Sequence, residues 1–202
     1  MISTRYLVPL ALGGLPLVTH AEEGPTFDCA KAESSAEKLI CAEPELAALD
    51  RGLAARFAKA LAVAQGLDAG AKEAEDRLRA TQRGWISGRD ECWKEPELRA
   101  CVQTAYLRRE AELVVWFLLE QASNIAELSC GDGARRLTIY EFPTPLPGIR
   151  VEEGDGVHVG AQSAAETPGS YYVSSWGGVT LEGAEISVSD VYGTVIPCRP
   201  VN

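Results

Sequence analysis

Histidine is nearly absent from this sequence, which has two among its 202 residues. His158 is the only one beyond the first 21 residues, so a Ser/His/Asp catalytic arrangement has no support. No two cysteines have the spacing of a zinc knuckle, and no phosphate-binding loop or metal motif occurs. Gly131-x-Gly133 and Gly154-x-Gly156 are too short for a dinucleotide fingerprint and predict turns. We therefore expect no enzyme and no metal or other cofactor.

Lysine is absent from residues 126–202, where ten acidic side chains accompany four arginines. Residues 22–125 hold 19 acidic and 14 basic side chains. Without residues 1–21, the chain has a formal net charge of −11, from 18 basic and 29 acidic side chains. Nucleic acid is not an expected partner, since its phosphates would be repelled. The acidic excess is either a solvated surface or a field that attracts a basic partner.

The sequence also has no long uninterrupted hydrophobic run. Residues 6–18 are mostly apolar, but they contain two prolines and two glycines and are shorter than the roughly 20 residues of a membrane span. Arg5 precedes this run, and Thr19-His20-Ala21 follows it and suits signal peptidase. We predict that residues 1–21 are a cleaved signal peptide, with no membrane span after cleavage. No cysteine lies near the end of this segment, so a lipoprotein modification is not expected.

The cysteines form an even set, which in an exported chain indicates disulfides made in an oxidising compartment. The protein is therefore expected to be periplasmic or secreted. The six positions are Cys29, Cys41, Cys92, Cys101, Cys130 and Cys198. The first four can pair locally or cross one another, and the sequence does not choose between these connectivities.

The first part of the chain has helical periodicity. Apolar residues recur at spacings of three and four over positions 46–64, which predicts a helix that Pro44 opens. A second helix is predicted over about 72–92, and a third from near Pro96 onward. The stripe expected on the second helix consists of Leu78, Thr81, Trp85 and Arg89. Residues 22–124 are thus predicted to form an antiparallel helical hairpin or three-helix unit.

Residues 125–202 change to short alternating runs, such as 137–140 and 184–188, separated by glycine turns. Because antiparallel strands must protect their edges, a small closed β-barrel is expected rather than a flat sheet. A disulfide between Cys130 and Cys198 would join its first and last strands and contribute roughly 4 kcal/mol in the chain-entropy model. The predicted fold class is α+β, in two domains.

Several motifs occur between residues 27 and 113. They are Phe27-Asp28-Cys29, Ala36-Glu37-Lys38-Leu39-Ile40-Cys41, Pro44-Glu45-Leu46, Gln82-Arg83-Gly84-Trp85-Ile86, Arg89-Asp90, Cys92, Cys101, Tyr106 and Arg109. Together they resemble the LprI-type domain of bacterial envelope proteins. The resemblance implies an association with lysozyme inhibition but supplies no inhibitory residues. Trp85, the Arg89-Asp90 pair and Tyr106 are expected to serve core packing and a buried ion pair.

A second set of motifs lies in the strand-rich part. It comprises Cys130-Gly131-Asp132-Gly133, Gly169-Ser170-Tyr171-Tyr172, Gly183-Ala184-Glu185-Ile186 and the terminal Cys198. These motifs resemble the MliC/PliC family of c-type lysozyme inhibitors, which are small antiparallel barrels closed by a disulfide. The resemblance implies that a serine and a lysine enter the lysozyme cleft and neutralise its two catalytic carboxylates.

This sequence departs from that pattern at both inhibitory positions. Pro168 stands where the serine belongs, and Glu182 stands where the lysine belongs. A glutamate offered to two carboxylates is repulsive, although Ser170 is a candidate substitute for the serine. The partner-binding surface is still expected in these loops, with barrel packing as the alternative for the aromatic residues. The candidate contact residues are Gly169, Ser170, Tyr171, Tyr172, Trp176, Glu182 and Gly183.

Three functional hypotheses follow from these resemblances. The first is a periplasmic lysozyme-inhibitor-like protein that binds a c-type lysozyme or related basic muramidase and protects peptidoglycan from lysis. The second is an envelope adaptor or structural module that has lost the inhibitory loop residues. The third is an inhibitor barrel that blocks a different hydrolase.

Overall fold

The computed structural model describes residues 24–163, 168–174, 176–181 and 186–201. The predicted signal peptide lies outside these residues, as do Glu182 and Gly183. Within the described part of the chain, no helix is both long enough and apolar enough to cross a bilayer.

The first part of the structure consists of four α-helices, one more than the predicted three. They are α1 Ser35–Ala42, α2 Pro44–Gln65, α3 Ala71–Asp90 and α4 Leu98–Phe117. Single 3₁₀ turns at Cys29–Lys31 and Glu91–Lys94 precede α1 and α4. The added helix begins at a capping box, in which the Ser34 side chain accepts from Glu37 N and the Glu37 side chain accepts from Ser34 N. Pro44 occupies the first turn of α2, as predicted.

The helices enclose one apolar core. Leu46 and Leu53 of α2 meet Leu78 of α3 and Val102 of α4 there, and Ile40 brings α1 into the same cluster. Three residues of the predicted α3 stripe face this core, because Leu78 and Arg89 are buried and Trp85 packs against it. The fourth, Thr81, is exposed. The sequence pattern therefore predicted the inward faces of α2 and α3.

The second part is a closed barrel in which each strand pairs with its neighbours in chain order. All eight ladders are antiparallel, including the one between the first and last strands. The strands are β1 Asn124–Cys130, β2 Arg135–Phe142, β3 Gly148–Glu153, β4 Gly156–Gln162, β5 Ser170–Val173, β6 Gly177–Thr180, β7 Ile186–Ser189 and β8 Val195–Pro200. Closure leaves no free edge, which confirms the predicted architecture.

The side chains of β2 illustrate how the strands build the barrel core. Leu137 and Ile139 are buried, whereas Thr138 and Tyr140 between them are half-buried. This alternation arises because successive side chains of a strand point to opposite faces. The inward side of the barrel is filled by aliphatic residues from most of its strands.

Three disulfides are present, and the structure chooses local pairs for the first four cysteines. Cys29 bonds to Cys41, and Cys92 bonds to Cys101. Cys130 and Cys198 are directly opposite each other on β1 and β8, and they form the predicted bridge between the terminal strands. Each half of the molecule is therefore cross-linked separately.

The two halves are joined by a dry contact between α4 and the barrel wall. Val114 and Val115 of α4 cluster with Phe142, and all three side chains are buried. Gly148 lies directly beneath α4, because a Cβ atom added there would be 2.5 Å from Cγ2 of Val115. Only a glycine allows the start of β3 to approach the helix this closely.

We predict that Gly148→Ala lowers the free energy of unfolding by about 1–3 kcal/mol, because the new methyl group overlaps Val115. Urea unfolding followed by circular dichroism measures the change. The matched control is Gly84→Ala in α3, where an added Cβ meets nothing within 4 Å. That variant is expected to gain up to about 1 kcal/mol from helix propensity. Equal effects of the two variants would contradict the close approach at Gly148.

Candidate functional site

The predicted partner-binding residues that the structure describes are spread over both ends of the barrel. Gly169, with φ of 69°, leads into β5, and Ser170 pairs there with Thr180. Trp176 lies in the turn between β5 and β6. Because successive connections of an up-and-down barrel alternate between its two ends, Gly169 and Trp176 belong to opposite ends. Glu182 and Gly183 lie outside the described residues.

The two adjacent tyrosines of β5 have different environments. Tyr171 points into the barrel, is 5% exposed, and donates a hydrogen bond of 2.7 Å from its hydroxyl to Glu141 Oε1. Burial, followed by the hydrogen bond to Glu141, raises the pKa of Tyr171 well above its ordinary value. Tyr172 points outward and is 55% exposed. Tyr171 is therefore a core residue, and only Tyr172 of this pair is accessible to a partner.

Trp176 is held in a polar cluster at its end of the barrel. Arg135 donates to both carboxylate oxygens of Glu153, at 2.7 and 2.8 Å. Trp176 Nε1 donates to the same carboxylate at 3.1 Å, and the Arg135 guanidinium lies 5.4 Å from the centroid of the indole. The hydrogen bond from Arg135 is the largest factor that lowers the pKa of Glu153. These contacts, with His158 5.9 Å from the indole, favour a structural role for Trp176.

The helical half contains a buried polar network around Tyr106. Its hydroxyl donates to Asp50 Oδ1 at 2.8 Å and accepts from Arg89 Nη1 at 2.9 Å. The backbone N–H and the hydroxyl of Thr26 both donate to Asp50 Oδ2 at 2.6 Å. Burial is the main cause of the strongly raised pKa of Tyr106, so this hydroxyl stays protonated. The network ties the segment before α1 to α2, α3 and α4.

Arg89 is the cation of this network and is 4% exposed. It also donates to Asp90 Oδ1 at 2.7 Å, and its guanidinium lies 5.5 Å from the Trp85 ring centroid and 6.0 Å from that of Phe27. Trp85 in turn donates from its indole nitrogen to the carbonyl of Ala105 in α4. These residues form the expected core packing and ion pair rather than an accessible site.

The turn between β7 and β8, which no sequence motif indicated as a site, presents apolar side chains to solvent. Tyr192 is 90% exposed, and Val191 and Val195 are also exposed. The Asp190 carboxylate accepts from the backbone N–H groups of Tyr192 and Thr194, both at 2.9 Å. The hydrogen bond from Thr194 N, together with that from Tyr192 N, lowers the pKa of Asp190, and both bonds close the turn. The Asp-x-x-Gly pattern signals a turn, but no local pattern signals that Tyr192 projects from it.

No metal centre is found in the part of the chain that the structure describes, since no three His, Cys, Asp or Glu side chains converge there.

We predict that Tyr106→Phe destabilises the protein by about 1–3 kcal/mol, because buried Asp50 loses one of its donors and buried Arg89 loses one of its acceptors. The control is Tyr140→Phe, which removes a hydroxyl that makes one longer bond, 3.3 Å, to Glu152 at a half-buried position. The control should cost less than about 1 kcal/mol. Thermal unfolding at neutral pH compares the two, and equal losses would show that the Tyr106 network contributes nothing specific.

We also predict an acid sensitivity that depends on Glu153. Its folded pKa lies below the ordinary 4.5, so its contribution to stability is present above the unfolded pKa and is lost as the pH falls through the folded pKa. Between about pH 5 and about pH 3, wild type should therefore lose stability more steeply than Glu153→Gln. The control is Glu127→Gln at an exposed position of β1, which should keep the wild-type slope. Urea midpoints across this range give the slopes.

Comparison with known proteins connects the helical half to a defined family. A family model described as "Lysozyme inhibitor LprI" matches residues 29–113. The chain is also 26% identical over 188 residues to Lipoprotein LprI of Mycobacterium bovis and to that of Mycobacterium tuberculosis strain H37Rv. These alignments cover 90% of this chain and 87% of each relative. No solved structure matches the chain.

The matched segment runs from the first cysteine into α4 and includes Asp50, Arg89 and Tyr106 of the buried network. The alignment to the mycobacterial lipoproteins extends beyond it into the barrel, because it covers 90% of the chain. The MliC/PliC resemblance of the barrel stays a prediction. The chain thus contains a segment that matches the LprI lysozyme inhibitor family, and it is distantly similar to LprI over most of its length.

Proposed function

We propose that this protein is an exported lysozyme inhibitor that binds a c-type lysozyme or a related basic muramidase in the periplasm and so protects peptidoglycan. The observation that carries the proposal is the match of residues 29–113 to a lysozyme inhibitor family. Three separate disulfides support an oxidising location outside the cytoplasm.

The charge distribution supports a basic partner. Residues 126–202 carry six more acidic than basic side chains. Two of the four arginines in this part, Arg135 and Arg150, are paired with Glu153 and Glu152. A surface on which anions outnumber cations raises the rate at which a cationic protein associates. Nothing in this charge pattern favours nucleic acid.

The rigidity of the frame supports an inhibitory role. We treat residues 22–124 and 125–202 as two domains that bind as one body, because Val114, Val115 and Phe142 form a dry contact between them. A closed barrel with a bridge between its terminal strands has little freedom to lose on association. Preorganisation of this kind improves affinity by lowering the entropic cost of binding.

The proposal does not depend on the serine and lysine mechanism of the MliC/PliC family. Pro168 and Glu182 replace those two residues, and residues 126–202 contain no lysine. Inhibition by this protein must therefore use other contacts. The adaptor hypothesis predicts no effect on lysozyme, which makes the two hypotheses directly separable.

We predict that the mature protein, residues 22–202, inhibits lysis of bacterial cell walls by a c-type lysozyme in a turbidity assay. Inhibition should be stronger at about 20 mM salt than at about 150 mM, because the Debye length is then longer and the charge attraction is less screened. A neutral, disulfide-bonded protein of similar size is the control for nonspecific effects. An absence of inhibition at either salt concentration would contradict the proposal and favour the adaptor.

A further inference from the structure

We propose that the turn formed by residues 190–194 is the element that enters the glycan-binding cleft of the muramidase, with Tyr192 at its tip. This inference rests on the proposed function and names the contact through which it works. It replaces the surface expected from the sequence, around residues 168–176 and 182–183, with a different turn of the barrel.

The tip of the 190–194 turn is exposed to solvent. Among the large hydrophobic side chains in the described part of the chain, that of Tyr192 is the most exposed, at 90%. Val191 beside it is 56% exposed. Neither belongs to the barrel core. Tyrosine is among the residues that dominate binding energy at interfaces.

The 190–194 turn is closed by its own hydrogen bonds before any partner binds. Asp190 accepts from two backbone N–H groups of the turn, and Gly193 N donates to the carbonyl of Asp190 at 3.0 Å. Gly193 adopts φ of 83°, which a residue with a side chain adopts only under strain. Tyr192 is thus presented by a closed turn, so binding it costs little loop entropy.

The 190–194 turn is anchored to the barrel through β8. β8, which follows it, is attached to β1 through the Cys130–Cys198 disulfide. Gly131 N also donates to the carbonyl of Pro197 at 2.9 Å, which joins the turn after β1 to the same strand. A turn rooted in a cross-linked strand can insert into a cleft without deforming its own barrel.

The side chain of Tyr192 suits the carboxyl groups and sugar-binding surfaces of a muramidase cleft. Muramidases cleave their substrate with a pair of carboxyl groups in a concave cleft. Residues 190–194 contain no cation, but the Tyr192 hydroxyl is a neutral donor that can hydrogen-bond to a carboxylate. The ring supplies an apolar face for the surfaces that hold the sugar. The one charge in the turn, on Asp190, is directed at its own backbone amides.

The orientation of the turn is compatible with insertion. The β7–β8 turn shares its end of the barrel with the turns at 131–134 and 154–155 and with Trp176, because the connections alternate between the two ends. The inferred contact is therefore the tip of the β7–β8 hairpin, a convex feature that complements a concave cleft. The acidic excess of residues 126–202 would attract a basic enzyme to this half of the molecule.

The test measures the inhibition constant of full-length mature variants against a c-type lysozyme. Tyr192→Ala is expected to weaken inhibition at least about 30-fold, the size of an interface hot spot. The matched control is Tyr172→Ala, another exposed tyrosine of the barrel, which is expected to stay within about twofold of wild type. Thermal unfolding should be unchanged for both, because neither side chain is buried.

Asp190 serves as a positioning residue and gives a second, independent readout. Asp190→Ala removes the acceptor for Tyr192 N and Thr194 N and should weaken inhibition about tenfold, whereas Asp190→Asn keeps an acceptor and should restore most of it. Rescue by asparagine separates loss of turn geometry from loss of charge.

The outcomes distinguish this inference from the proposed function. If wild type does not inhibit lysozyme, the proposed function fails and this contact fails with it. If wild type inhibits but Tyr192→Ala inhibits equally well, the turn is not the contact and the inhibitor function stands. Loss of inhibition in Tyr172→Ala, with Tyr192→Ala unaffected, would return the contact to β5.

Discussion

The burial of α4 on two sides is the constraint on which the rest of the structure depends. One side of this helix places Val102, Tyr106 and Leu113 in the helical core. The other side presents Ala111 and Val114 to clusters that include barrel residues. Because α4 packs into both cores and close-packed interiors do not slide freely, the helix fixes the position of the barrel relative to the helical core. The orientation of the barrel is set by this contact.

The polar groups inside the helical half are tolerated because they satisfy one another. Asp50, Arg89 and Tyr106 form a continuous chain of hydrogen bonds, and Thr26 completes it at the carboxylate. An unpaired member of such a network would cost more than its hydrogen bond contributes. Asp50, Arg89 and Tyr106 lie in the segment that matches the family model, and their contacts are those of core packing.

The barrel separates structural aromatic residues from accessible ones. Tyr171 and Trp176 are fixed by Glu141 and Glu153, and these contacts direct them into the fold. Tyr192 lies outside both clusters, on a turn that its own Asp190 closes. The barrel core is filled by aliphatic side chains, and Tyr192 is not one of the residues that build it. The residues that build the barrel core therefore differ from the exposed residues of this turn.

The sequence by itself determined that a helical part comes first and a strand-rich part follows. The periodicity of three and four predicted α2 and α3, and alternating runs between glycine turns predicted the barrel that Cys130 and Cys198 close. The short helix α1 escaped the pattern because eight residues span barely two turns. Only the tertiary structure decided which tyrosine of the barrel is accessible. Exposure depends on which strand, helix or ion pair covers a side chain, and these neighbours are distant in the chain.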